Sequence, residues 1–176
     1  MTDAKGPDPT HRTARRRAHH RTRRTAGRTT YSAVLRAVVE EANRRCDGAL
    51  PTDLPGVRQM FPDELALVGA LQLRWHTRLA GAVEQALEAD PGDPERAVVA
   101  AWQRTAEALA GVRAVLDARA ELPASAEEAA ALRTAGGKDR ALLAAMAGLA
   151  SPPDPRAVGI GARLELRARE RLHVAA

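Results

Sequence analysis

The sequence predicts an all-α fold: a small antiparallel bundle of about five to six helices, preceded by a disordered basic arm. Three observations predict it. Apolar residues recur every three or four positions from residue 34 to residue 172, and no run of four to eight residues alternates or clusters β-branched side chains as a strand does. Acidic or hydroxyl side chains stand where helices would begin, with Pro and Gly between the periodic segments. The chain's 33 Leu, Ile, Val and Phe residues all lie beyond residue 30, so the first thirty residues have almost nothing to bury.

Residues 1–29 form the expected arm, beginning Gly6-Pro7-Asp8-Pro9 and continuing in blocks of Arg, His and Thr. Like charges repel there and no apolar period appears, so disorder without a partner is expected. The α-helical domain is then residues 30–176. Its first helix is predicted over Thr30–Cys46, with Val34, Leu35, Val38 and Ala42 on one face. Glu40-Glu41 and Arg44-Arg45 are spaced for i,i+4 pairs, and Asp47-Gly48 stops the helix. Residues 49–61 contain Pro51, Pro55 and Gly56 and read as irregular. They also carry Leu50, Leu54, Val57, Met60 and Phe61, so they should lie across the body and not in solvent.

Pro62-Asp63-Glu64 starts a helix expected to run to Ala89, with Val68, Leu71, Trp75 and Leu79 on its buried face. Asp93-Pro94-Glu95 starts another, expected to run unbroken to Glu121 and to bury Val99, Trp102, Ala106, Leu109, Val112 and Leu116. These two helices, residues 62–121, make the expected central hairpin, with Trp75 and Trp102 at the centre of their contact. Ser125-Ala-Glu-Glu128 fits a capping box opening a short helix to Thr134. Gly136-Gly137 should break the chain, with a second short helix over 138–150. Asp154-Pro155 caps a last helix with Ile160, Leu164, Ala168 and Leu172 on one side.

Composition limits function more than it specifies it. Alanine supplies 39 residues, so the core is expected to be thin and closely packed. One cysteine, Cys46, excludes an intrachain disulfide. No apolar run approaches the length of a transmembrane segment. Arg23-Arg24 lacks the apolar stretch an export signal needs, and a cytoplasmic location is expected.

No motif specifies a reaction, and the chain is read as non-enzymatic, with no cofactor and no metal. Ala-Gly-Gly-Lys-Asp (135–139) lacks the earlier glycine and the Ser or Thr of a phosphate loop. Glu170-x-x-His173 is a single copy of a spacing that di-iron sites use twice. His76 reads as a boundary residue, with no partner or pocket visible in the sequence. The pair 125–134 and 138–150 is the one candidate for a helix-turn-helix, but its second helix offers only Arg140 to bases.

Charge is the feature with physical force. Residues 1–30 carry nine Lys or Arg and two Asp, a net of +7, while residues 31–176 carry 18 basic and 20 acidic groups, a net of −2. Arg12, Arg15, Arg16, Arg17, Arg21, Arg23, Arg24 and Arg28 are the candidate contacts to nucleic-acid phosphates. Such contacts release counterions and give affinity without reading sequence. The arm's lack of aromatic residues argues against stacking on single strands. The alternative is a helical adaptor that binds another protein, or itself, through its body, with the arm as a solubility tail.

Overall fold

Three of the longer helices begin at an Asp or Ser side chain that takes up a backbone donor left unpaired at a helix start. A computed structural model describes residues 30–151 and 153–175, with side chains through residue 172. The expected disorder of residues 1–29 falls outside the described residues, as do all eight candidate arginines. The fold is all-α, with seven helices among the described residues where five to six were expected. They are α1 (Tyr31–Arg45), α2 (Val57–Met60), α3 (Glu64–Ala89), α4 (Pro94–Ala108), α5 (Ala110–Glu121), α6 (Ala126–Met146) and α7 (Ala157–Ala175).

The Asp63 carboxylate accepts from Ala66 N–H at 2.7 Å, so α3 starts at Glu64 and Pro62 lies just outside it. Asp93 accepts from Arg96 N–H at 3.0 Å, with Pro94 in the first turn of α4. Ser125 Oγ accepts from Glu128 N–H at 3.1 Å and starts α6. Asp154 accepts from Arg156 N–H at 2.8 Å, but α7 itself opens three residues later, at Ala157. At the end of α1, Glu41 holds both Arg44 and Arg45, each at 2.6 Å, while Glu40 faces Arg36. The predicted Glu41–Arg45 pair forms; the predicted Glu40–Arg44 pair does not.

The connection 49–61 crosses the body as expected, burying Pro51, Val57 and Phe61 and including the single turn of α2. Two other expectations are corrected. The helix predicted over 94–121 breaks at Leu109, whose φ of −126° and ψ of 40° are not helical. The cause is Asn43 on α1. Its Oδ1 accepts from the N–H groups of Gly111 (3.0 Å) and Val112 (3.3 Å), and its Nδ2 donates to the Ala108 carbonyl (3.3 Å). One side chain thus closes α4 and opens α5. Gly111 lets α1 come close enough for this, because a Cβ there would stand 1.8 Å from the Ala42 carbonyl oxygen.

The second correction is Gly136-Gly137, which sits inside one continuous α6 and breaks nothing. Each glycine costs a helix about 1 kcal/mol against alanine. Packing of α6 on α7 and on α3 outweighs that cost. Gly161 of α7 is buried with its Cα against α6, where an added Cβ would lie 1.8 Å from the Arg140 carbonyl oxygen. The continuity of α6 also removes the candidate helix-turn-helix.

The core joins α3, α4 and α5 with α1 on one side and α6 and α7 on the other. Val68, Leu71, Trp75 and Leu79 of α3 are all buried, as the periodicity predicts. Trp75 and Trp102 meet edge to face, with ring centroids 5.7 Å apart and planes at 71°. A pair of this kind adds about 0.5–1.5 kcal/mol beyond the area it buries.

Candidate functional site

Because α6 is continuous, its polar residue Asp139 faces inward toward α3. Asp139 is buried, and both of its carboxylate oxygens are engaged. Gln72 Nε2 donates to Oδ2 at 2.8 Å, and His76 Nδ1 lies 2.6 Å from Oδ1. Gln72 and His76 are one helical turn apart on α3, so they present their polar ends to the same point. Burial pushes the Asp139 carboxyl above its ordinary range, against the opposing pull of His76 and Gln72.

Two cavities share Gln72, Leu132 and Asp139 in their walls. The first is an apolar groove of about 350 Å³ between α3 and α6, lined by Leu65, Val68, Leu73 and Leu132, with His76 and Lys138 among its polar groups. The second, about 470 Å³, reaches toward α5 and α7 and is occupied at its edges by a chain of ion pairs. Arg113 and Arg169 both hold Asp117 at 2.9 Å. Arg169 also holds Glu165 at 2.7 Å, and Arg140 meets Glu165 at 2.9 Å. Arg113 lies over the Trp75 ring at 4.8 Å and Arg169 over Trp102 at 5.0 Å. Burial raises the pKa values of Asp117 and Glu165, but their arginine partners overcome it and hold both carboxyls below the ordinary range.

The sequence singled out His76 without its partner. The signal for Asp139 was present: Leu132, Ala135, Asp139, Leu143 and Met146 step by three or four. Reading Gly136-Gly137 as a break divided that series between two helices. Cys46 is exposed, with its Sγ donating to the Asn43 carbonyl at 3.1 Å, while Arg44 and Arg45 turn to Glu41 and Asp53. In the basic series Arg163, Arg167 and Arg171 on α7, Arg167 pairs with Glu95 of α4. Among the described residues no three His, Cys, Asp or Glu side chains are grouped as a metal site, and no helix is long and apolar enough to cross a membrane. The side chain of His173 lies outside the described residues.

Comparison with family models, curated proteins and solved structures finds no match.

Proposed function

We propose that this is a non-enzymatic, cytoplasmic binding protein whose arginine-rich N-terminal segment engages nucleic-acid phosphates without reading sequence. The observation that carries this reading is the segregation of charge, +7 in residues 1–30 against −2 in residues 31–176. Among the described residues, ten arginines of the helical body sit in ion pairs with carboxylates. Their charge is compensated locally. The eight arginines between residues 12 and 28 have no acidic residue among them, so they are the chain's largest uncompensated charge. The helical body serves as the carrier of that charge.

The test is a salt series on a labelled DNA duplex of arbitrary sequence. With five to eight phosphates engaged, the slope of log affinity against log salt is expected to be roughly −4 to −7. Duplexes of different sequence should give the same affinity. A slope near zero, or a partner protein retained at high salt, would replace this reading with the adaptor.

A further inference from the structure

We propose that the groove between α3 and α6 is a binding site for an aliphatic monocarboxylate. Its volume, about 350 Å³, lies at the lower end of the range small-ligand sites occupy. Its walls are aliphatic, from Leu65, Val68, Leu73 and Leu132, with no aromatic side chain to stack a ring. Gly69 lines the groove and is exposed, and a Cβ built on it meets no atom within 4 Å. That part of α3 is therefore bare backbone facing open space. The neighbouring ionic cavity is crossed by its own pairs, so the apolar groove is the vacant one for an oily chain.

The polar groups of the groove select the head of the ligand. Asp139 is buried, with one oxygen bound by Gln72 and the other by His76. His76 is tied through Nδ1, and its Nε2 makes no hydrogen bond among the described residues. Lys138 has no carboxylate partner among them either. Lys138, exposed at the edge of the groove, presents an ammonium. A single negative charge at the head of an aliphatic chain matches this one ammonium better than a phosphate dianion does.

Calorimetric titration of the full chain with sodium decanoate tests this, below the concentration at which decanoate forms micelles. The titration is run at about 0.3 M salt, where the attraction of the N-terminal arginines is strongly screened. One saturable site is expected, with decanoate bound about threefold to tenfold more tightly than decanol. Gly69→Phe fills the groove from its open backbone and is expected to weaken both ligands by about tenfold or more. Ala131→Phe, from the exposed opposite rim, should do the same and serves if the first variant misfolds. Lys138→Met should bring decanoate down to the affinity of decanol and leave decanol unchanged. The proposal is overturned if no saturable binding occurs, if decanol binds as tightly as decanoate, or if a folded groove-filling variant binds like the native chain. The arginine-rich segment is intact in every variant, so the outcome is independent of the nucleic-acid reading.

Discussion

Gly161→Ala is expected to destabilise the fold by about 3 kcal/mol or more, a large effect for one methyl group. The added Cβ would lie 1.8 Å from the Arg140 carbonyl oxygen and 2.4 Å from its carbon, in the middle of α6. Those are backbone atoms of a packed helix, so neither a rotamer change nor a side-chain shift relieves the clash. The helices must move apart, and the Arg140–Glu165 pair at the same crossing goes with them. Gly81→Ala is the matched control. Gly81 is also inside a helix, but a Cβ there meets nothing within 4 Å, so the same change should stabilise by about 1 kcal/mol through helix propensity alone. Urea midpoints of the two variants should therefore move in opposite directions.

Glu128→Ala is expected to cost about 2–3 kcal/mol, because it leaves Arg119 with only its exposed contact to Glu64 and strips a backbone N–H of its acceptor. Glu128 is 1% exposed at the start of α6. Its two oxygens accept from Arg119 Nε at 2.7 Å and Nη2 at 3.0 Å, and one of them also accepts from Ala124 N–H at 2.6 Å. The backbone donor it takes belongs to Ala124, one residue before the cap, and not to Ser125 itself. Arg119 continues to Glu64 at 2.8 Å, so one guanidinium joins the ends of α3, α5 and α6. Glu64→Ala removes only an exposed contact of the same arginine and should cost less than about 1 kcal/mol.

The pH dependence gives the same site a second signature. Arg119, opposed by burial, holds the Glu128 carboxyl below its ordinary 4.5. The folded state therefore binds its proton less readily than the unfolded chain. The stability this pair supplies is complete above 4.5 and is lost as pH falls from there through the lowered folded value. Glu128→Gln should flatten that part of the acid limb in equilibrium unfolding followed by circular dichroism.

The all-α class and most helix starts were legible because caps and apolar periods are local. Asp63, Asp93 and Ser125 each receive the backbone donor that their position in the sequence implies. What was not legible depends on residues far apart in the chain. The break at Leu109 is imposed by Asn43, 65 residues or more from the groups it binds. The persistence of α6 through Gly136-Gly137 is imposed by α7 and α3. The second error hid the candidate site, because only an unbroken α6 brings Asp139, 63 residues away, to His76. Gly69 and Gly81 of α3 face open space, and the close helix approaches are at Gly111 and Gly161, where nothing local marks them.

The central claim is that binding charge and folding capacity reside in different parts of the chain. The most direct measurement replaces Arg12, Arg15, Arg16, Arg17, Arg21, Arg23, Arg24 and Arg28 with Gln in the full-length protein. Duplex affinity and the far-ultraviolet helical signal are then compared with the native chain at one low salt concentration. The account predicts a loss of affinity of about 100-fold or more with the helical signal and unfolding midpoint unchanged. Undiminished binding, or loss of helix on removal of these charges, would contradict it.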